Sequence, residues 1–378
     1  MESYSFKFKR EDGCFVLPNF EFDPDLIIHF GRGNLFNSGL FYRELRSRFN
    51  RAIIIGCGSG GHFHQAEIID DDAAGIMFKF EKTKLRLESL PIKNSGQSFE
   101  VGCELGRKLA SADLAGVFVL AEGLDINGDE LMEGLSSALP RRAVVGGGMA
   151  SDGTDFNATL VSANCEPRQH LVAAVGFYGD KIELNNCFET GWKRTGLQMK
   201  ITSSSQNHAY EFDHQPAFEM YRERVGCEAA ALHRDGLRFP ILVSDPGNSR
   251  WPVIRTILAS DQGSGRVTFA GDLPQGGTAE IMHAEISELI AAAKDVAIAA
   301  VSKRSSETMA AIIVSCIGRR TVLGDRAADE ISEIQKHLPE NLSYAGFYSN
   351  GEFSKCSNDP TARLLNQTVT CFTISEMN

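Results

Sequence analysis

The sequence predicts a mixed α+β fold, with layered sheets of parallel and antiparallel strands and with helices on the outside. In the first half, buried-type strands that run into glycine turns alternate with helices, for example 39–49 followed by 51–58. Segments typical of antiparallel strands then follow between residues 158 and 205. The second half repeats a similar order, which suggests two related halves. This mixture argues against a purely doubly wound sheet.

The first half places helices between several of its strands. Apolar runs bounded by turn residues indicate strands, whereas apolar residues spaced three and four apart indicate helices. The predicted strands are 25–30, 51–58, 73–80, 84–92, 114–124, 143–153, 158–164, 171–179, 182–193 and 197–205. The predicted helices are 39–49, 99–110 and 129–140.

The second half follows the Ser-rich segment 202–207, which places the domains at 25–210 and 211–378. Pro216 supports a helix at 215–226, because proline is favoured in the first turn. The other predicted helices are 284–303 and 328–338. The predicted strands are 241–245, 253–260, 266–274, 310–320, 344–348 and 364–375.

The composition excludes several classes of protein. A formal net charge of −11 argues against a duplex nucleic-acid binder, which presents a basic face. The nine cysteines form no CxxC pair and are typical of reduced thiols in a cytosolic protein. Neither a signal peptide nor an apolar run of membrane-spanning length is visible. We therefore predict a cytoplasmic protein that binds neither nucleic acid nor membrane.

The glycine turn after the strand 51–58 contains the spacing GxGxxG, at Gly56, Gly58 and Gly61. A dinucleotide-binding fold needs a long helix directly after this turn, since the helix N-terminus holds the pyrophosphate. Here three successive aspartates follow and no helical pattern is present. The sequence therefore argues against a dinucleotide site.

Cys316 and Arg319 stand where the predicted strand 310–320 runs out. Neighbouring cations stabilise a thiolate, so one interpretation is a reactive Cys316. The favoured interpretation is a thiol packed as a small apolar group, because no His–acid pair is spaced as in a known cysteine hydrolase. Arg319 is a candidate for contacting an anionic ligand group, since its planar fork matches a carboxylate.

Four histidines near turns are candidate metal or haem ligands. His62 and His64 flank Phe63, so on a strand they share one face. His208 and His214 bracket a short segment near another turn. For any single one, a surface or hydrogen-bonded histidine is the favoured alternative.

Glu352 follows a glycine turn in YAGFYSNGEFS, 344–354. The turn is either the tip of a hairpin or one wall of a pocket. Two interpretations of Glu352 and Arg319 are equally favoured. They present opposite charges to one polar ligand, or they form an internal Arg–Glu bridge.

The glycine turns together resemble the FIST family, which combines a FIST N-terminal and a FIST C-terminal domain. The resemblance extends from about residue 25 to the end of the chain and is most specific in SCIGR, GFYSNGE and NQT. It implies a FIST N-terminal-like domain at 25–210 and a FIST C-terminal-like domain at 211–378. The residues that match the family motifs, and that are implied to bind the ligand, are Cys316, Gly318, Arg319, Gly351, Glu352 and Asn366, with Thr368 beside them.

What the resemblance implies is a sensory module that binds a small ligand, acts through a separate signalling protein such as a histidine kinase, and is not an enzyme. The resemblance also suggests an amino-acid-like ligand. A zwitterion of this kind would suit a site with an acid, Glu352, and an arginine, Arg319. Some similar bacterial proteins are haem-binding nitric-oxide sensors, and two positions depart from the common pattern toward histidine, His62 and His214. A single axial histidine suffices for haem. The candidate ligands are His62, His64, His208 and His214.

Two rivals belong to other classes of protein. The first is an enzyme that uses Cys316 as nucleophile. The second is a recruitment module without a pocket, because FIST domains also occur in F-box proteins. No F-box-like helical segment precedes the resemblance in this sequence.

Overall fold

The chain forms a mixed α+β fold with several mixed sheets, as predicted. The computed structural model describes residues 1–11, 14–17, 20–153, 155–226, 236–245, 247, 252–302, 309–355 and 361–377, with side chains throughout except at 9–11, 14–16 and 34. The last predicted position of the helix 284–303, Cys227 and Cys356 lie outside the described residues. Cys57, Cys316 and Cys371 are buried thiols that form no disulfide.

Most of the predicted elements are present, and the structure adds strands that were not predicted, among them those at 2–7, 208–212 and 278–283. The helices are α1 Gly33–Asn37, α2 Leu40–Arg48, α3 Ser98–Leu109, α4 Gly128–Ala138, α5 Ala217–Val225, α6 Ile286–Ser302, α7 Ile317–Leu323 and α8 Ala327–His337. The strands of the first half are β1 Glu2–Lys7, β2 Lys9–Glu11, β3 Cys14–Val16, β4 Leu26–Gly31, β5 Ile53–Gly58, β6 His62–His64, β7 Glu67–Ile69, β8 Ala73–Lys79, β9 Lys84–Pro91, β10 Leu114–Ala121, β11 Val144–Met149, β12 Val161–Ala163, β13 Leu171–Tyr178 and β14 Ile182–Glu189. The later strands are β15 Lys193–Ser205, β16 His208–Phe212, β17 Gln215–Pro216, β18 Ile241–Ser244, β19 Val253–Arg255, β20 Ile257–Asp261, β21 Arg266–Phe269, β22 Thr278–His283, β23 Met309–Cys316, β24 Ser343–Ser349, β25 Glu352–Lys355, β26 Arg363–Leu365 and β27 Val369–Glu376.

Three of the sheets are built on one plan. Each has a parallel pair joined through helices, namely β4 with β5, β10 with β11, and β23 with β24. An antiparallel strand that comes later in the chain (β8, β13 or β27) then pairs with the first strand of each pair. We call these sheets 1, 2 and 3. Both halves of the chain contain this unit, so the halves are related, as predicted.

The three sheets exchange a short strand in a closed cycle. β12 pairs with β5 of sheet 1, β25 pairs with β11 of sheet 2, and β6 pairs with β24 of sheet 3. The register is the same in all three: Val161 faces Cys57, Glu352 faces Gly148, and His62 faces Phe347. The fold therefore places His62 and Glu352 at equivalent positions.

The central core lies between the inner faces of these sheets. Phe30 of sheet 1 stacks on Phe347 of sheet 3 with ring centroids 4.5 Å apart, and Phe118 of sheet 2 lies 5.4 Å from Phe372 of sheet 3. Strands covered on both faces have continuous apolar sequences, and every residue of β4, β11 and β23 is buried. The core holds the carboxyl ends of the parallel strands close together.

Sheet 4 lies outside this plan and has its own core. Its strand order is β19-β18-β22-β15-β16-β21-β20, with β17 beside β16. The predicted strand 253–260 splits into β19 and β20 at Thr256, and the predicted strand 310–320 ends at Cys316, where α7 begins. The predicted domain boundary at 210/211 falls within β16, and sheets 2 and 3 each combine strands from both predicted domains.

No helix in the described part of the chain combines the length and the apolar character needed to cross a membrane.

Candidate functional site

A cavity of about 530 Å³ lies where the carboxyl ends of four strands meet. These strands are the parallel pairs β10 with β11 and β23 with β24, and residues at or after each strand end line the cavity. Sheet 4 forms the opposite wall through Gln206–Asn207, Thr256–Leu258 and Phe269–Asp272. Ligands of open sheets commonly bind beyond the carboxyl ends of parallel strands, and this volume suits a small molecule. The cavity is therefore the candidate ligand site.

The wall of the cavity is mostly apolar. The apolar side chains on it include Leu124, Ile126, Met149, Leu237, Ile257, Phe269, Ile317 and Leu364. Phe156 and Leu258 also line it and are 48% and 37% exposed, which places them at the rim. Among the described lining residues, Asp272 is the one charged side chain, and Lys, Arg and His are absent. The site thus favours an apolar body and offers no cation to an anionic ligand.

Three of the lining residues each carry a buried polar atom without a hydrogen-bond partner: Asn350 Oδ1, Asn366 Oδ1 and Thr256 Oγ1. The amide nitrogens of the two asparagines are engaged, since Asn350 Nδ2 donates to Gly123 O at 3.3 Å and Asn366 Nδ2 donates to Leu365 O at 3.0 Å. An unsatisfied buried polar atom is costly, so such atoms at a cavity indicate a ligand that supplies the partner.

A buried ion pair joins the two sides of the cavity. Arg255 of sheet 4 donates to Asp129 Oδ2 in the first turn of α4 at 2.6 Å, and both side chains are almost fully buried. Arg255 also donates to Leu364 O at 3.1 Å and to Asp272 O at 3.2 Å. Breaking such a pair leaves an uncompensated buried charge. These contacts hold sheet 4 against sheet 2 and fix the shape of the cavity.

Asn127 connects helix α4 to the sheet 4 side of the cavity wall. Its Oδ1 accepts from the backbone N–H groups of Asp129 and Glu130, at 3.0 and 3.1 Å, and so caps α4. Its Nδ2 donates to Asp272 Oδ1 at 2.9 Å. Asn127 therefore links the start of α4 to the carboxylate on the wall.

The structure brings several residues predicted from the sequence to this cavity and places others beneath it. Cys316, Gly318 and Asn366 line it. A Cβ on Gly318, in the first turn of α7, would lie 2.8 Å from Gln367 Nε2, so a larger residue here would displace the Gln367 side chain. Gly351 follows the lining residue Asn350 and packs against Leu364 and Met149. The turn before Glu352 is not a hairpin tip, because β24 pairs with β23 and β6, whereas β25 pairs with β11 and β26.

Glu352 is fully buried, and its carboxyl lies near enough to the lining residue Cys316 to affect that thiol. Ser349 Oγ donates to its Oε1 and Thr368 Oγ1 donates to its Oε2, both at 2.6 Å. Burial raises the pKa of this carboxyl to about 8, although these hydrogen bonds favour the charged form. At neutral pH Glu352 is therefore largely protonated.

Arg319 lies away from the cavity, contrary to the expectation that it faces a ligand together with Glu352. Its side chain is fully buried, and it donates to Glu330 Oε1 through Nε at 2.9 Å and through Nη2 at 2.7 Å. It also donates to the carbonyl oxygens of Thr190, Leu289 and Gln367. The internal bridge that the sequence left open exists, but its acid is Glu330. In this arrangement Arg319 anchors α7 and α8 to the loop after β14.

The environment of Cys316 does not activate its thiol. Burial, followed by the nearby Glu352 carboxyl, raises the pKa of Cys316 to about 12. Arg319, a cation that the alternative of a reactive Cys316 relied on, is directed to Glu330 instead. The neutral thiol is a weak nucleophile, so the site gives Cys316 the properties of a packed lining residue.

The four candidate histidines lie elsewhere in the fold. His62 is buried, its Nε2 has no hydrogen-bond partner, and its Nδ1 shares a hydrogen bond with Ser59 Oγ at 3.2 Å. Burial lowers the pKa of His62 to about 3. His64 lies on the same strand, His208 shares a hydrogen bond with Thr268 Oγ1 at 3.0 Å, and His214 is exposed.

The residues of the cavity do not fit a haem with a histidine ligand. None of the four histidines lines the described wall, and that wall has no Arg or Lys to pair with propionate groups. In the part of the chain that the structure describes, no cluster of three or more His, Cys, Asp or Glu side chains is arranged to hold a metal ion.

Several residues of the cavity were missed in the sequence. Asn127 and Asn350 each precede a glycine in a loop after a buried strand, which was a usable signal. Thr256, Asp272 and the rest of the sheet 4 wall carry no such signal, because they reach the site only through tertiary packing.

The comparisons with known proteins identify the family. No curated protein matches the chain. Among solved structures, the cyanuric acid hydrolase from A. caulinodans is similar at 8% identity and a TM-score of 0.34, with 94% of this chain and 91% of that chain covered. A TM-score this low supports no conclusion about fold or activity. The FIST N domain matches residues 25–215 and the FIST C domain matches residues 217–355. The chain therefore belongs to the FIST family.

Proposed function

We propose that the protein is a sensor that binds a small organic ligand in the cavity between sheets 2, 3 and 4. FIST domains are generally sensory domains for small ligands. The observation that carries the proposal is the set of unpartnered buried atoms on the wall: Asn350 Oδ1, Asn366 Oδ1 and Thr256 Oγ1. These three atoms belong to residues held by different sheets. A ligand that bridges the atoms therefore changes the relative free energies of the possible sheet arrangements.

The signal would pass to a separate protein partner, such as a histidine kinase. This part of the proposal rests on the sensory character of the family and on the exposed rim residues Phe156 and Leu258, which a partner can reach. Co-purification of a kinase with the wild-type protein, and its dependence on the ligand, tests it.

An amino-acid-like metabolite is the first of the narrower forms. The apolar wall and the polar atoms suit its side chain and its ammonium group, but its carboxylate meets no cation on the described wall, because Arg319 is engaged by Glu330. Haem-based nitric-oxide sensing is the second narrower form, and it stays a prediction. The described wall of the cavity does not support it, because it offers haem no histidine ligand. A visible spectrum of the purified protein with added haemin, with and without nitric oxide, tests it through the Soret band.

We further propose that the protein has no catalytic activity of its own. The high pKa of Cys316 supports this, because the thiol on the wall stays protonated at neutral pH. Turnover of any ligand found to bind, followed by product analysis, would contradict it.

A thermal-shift screen with amines, amides, amino acids and organic acids tests ligand binding in the cavity. We expect hits that raise the Tm of the wild-type protein and leave the Tm of Leu124→Trp unchanged, because the indole fills the cavity. Leu40→Trp is the matched control, since Leu40 is exposed on α2, and it should retain every hit. Hits that survive Leu124→Trp would place binding elsewhere.

A further inference from the structure

Two asparagines that line the cavity each have a hydrogen-bond acceptor without a partner. Asn350 and Asn366 each donate through Nδ2 to a backbone carbonyl, which can only accept, and this fixes the orientation of both amides. Their oxygens are then the atoms left without partners. A ligand satisfies them only if it carries N–H or O–H donors.

The charge of the lining side chains also favours a ligand that donates hydrogen bonds and carries no negative charge. Asp272 is the charged side chain of the described lining, and Lys, Arg and His are absent from it. A carboxylate or phosphate placed here would lose its hydration without gaining a cation, which is strongly unfavourable. An ammonium group loses its hydration too, but it can donate hydrogen bonds to the two amide oxygens in return.

We propose that the ligand is a primary organic amine with an apolar body and without a carboxylate or phosphate group. Its ammonium hydrogens would bind Asn350 Oδ1 and Asn366 Oδ1, and Thr256 Oγ1 would accept where the ligand has a further donor. Its body would lie against the apolar wall, including Ile257, Phe269 and others. This inference rests on the proposed function and names the chemical class of its ligand.

Three compounds with one common body separate this class from its neighbours. 2-Phenylethylamine carries the ammonium group alone, 3-phenylpropanoate carries the carboxylate alone, and L-phenylalanine carries both. Isothermal titration of the wild-type protein should show binding of the amine, binding of phenylalanine at least about tenfold weaker, and no binding of the acid. Asn366→Leu and Thr256→Val are near-isosteric variants, and we expect Asn366→Leu to weaken amine binding about tenfold through one lost hydrogen bond.

The outcomes separate the ligand class from the function. Equal or tighter binding of phenylalanine or the acid overturns the amine class and leaves the cavity as a ligand site. Amine binding that is unchanged in Asn366→Leu, Asn350→Leu and Leu124→Trp overturns the assignment to this wall. If none of the three compounds binds while other compounds in the thermal-shift screen depend on Leu124, the class is wrong and the sensor function stands. If no compound depends on Leu124, both fail. Leu40→Trp controls for the added indole.

Discussion

His62 and Glu352 begin the exchanged strands β6 and β25 at equivalent register positions. Each follows, by three residues, a buried serine whose hydroxyl contacts it: Ser59 Oγ lies 3.2 Å from His62 Nδ1, and Ser349 Oγ lies 2.6 Å from Glu352 Oε1. Burial lowers the pKa of His62 to about 3 and raises the pKa of Glu352 to about 8. Two turns of one design thus hold a base and an acid in their neutral forms at neutral pH.

Glu352 should make the protein less stable as the pH rises. In the unfolded chain the carboxyl has the ordinary glutamate pKa of 4.5, whereas the folded carboxyl keeps its proton until about pH 8. The native state therefore binds more protons between these values, and the free energy of unfolding falls as the pH increases through this window. Glu352→Gln should remove this loss, so the variant gains up to a few kcal/mol relative to wild type between pH 5 and 9, at about 1.4 kcal/mol per pKa unit.

Urea unfolding at pH 5, 7 and 9 measures this difference. Glu340→Gln, at an exposed glutamate, is the matched control and should follow the wild-type curve. A constant difference between Glu352→Gln and wild type at all three pH values would contradict a raised pKa.

His62 should make the protein less stable as the pH falls. In the unfolded chain the imidazole has the ordinary histidine pKa of 6.5 and binds a proton below it, whereas the folded imidazole does so only near pH 3. The unfolded state then binds more protons, and the free energy of unfolding decreases from pH 6.5 downward. His62→Asn keeps a group that can contact Ser59 Oγ but does not titrate, so it should make this acid limb shallower. Part of the limb should remain, because burial also lowers the pKa of His29 to about 3. His214→Asn, at an exposed histidine, should leave the limb as it is in urea titrations from pH 7 to 4.

The sequence predicted individual elements better than it predicted their partners. Long apolar strands such as 309–316 and helices such as 286–302 are visible in local periodicity. The exchanged strands β6, β12 and β25 have only three or four residues, and their register depends on contacts distant in the chain. The bridge considered for Arg319 named Glu352 as its acid, whereas the structure pairs Arg319 with Glu330, for the same reason. Motif residues such as Cys316 were predicted correctly as cavity residues because they stand at strand ends. The residues of the sheet 4 wall could not be predicted, because they reach the cavity only through tertiary packing.

The buried pair of Arg319 and Glu330 should govern stability more than ligand affinity. Arg319→Met leaves the Glu330 carboxylate buried without its partner, and we expect a loss of about 3–5 kcal/mol in the free energy of unfolding. Arg319→Met combined with Glu330→Leu should recover much of this loss, since no unpaired charge remains. The exposed pair of Arg326 and Asp329 is the control, and Arg326→Met should cost less than about 1 kcal/mol. A stable Arg319→Met that only loses ligand binding would restore Arg319 as a binding residue.

The buried thiol of Cys316 should react slowly with alkylating agents. Its pKa of about 12 leaves very little thiolate at pH 7.5, and its side chain is only 3% exposed at the cavity wall. In a time course with iodoacetamide, followed by peptide mass spectrometry, we expect Cys316 to be modified more slowly than the half-buried Cys103 and Cys165. The labelling rate should rise with pH without a plateau below pH 9, and an amine bound in the cavity should slow it further. Faster labelling of Cys316 than of these two cysteines at pH 7.5 would contradict the protonated thiol and revive the nucleophile hypothesis.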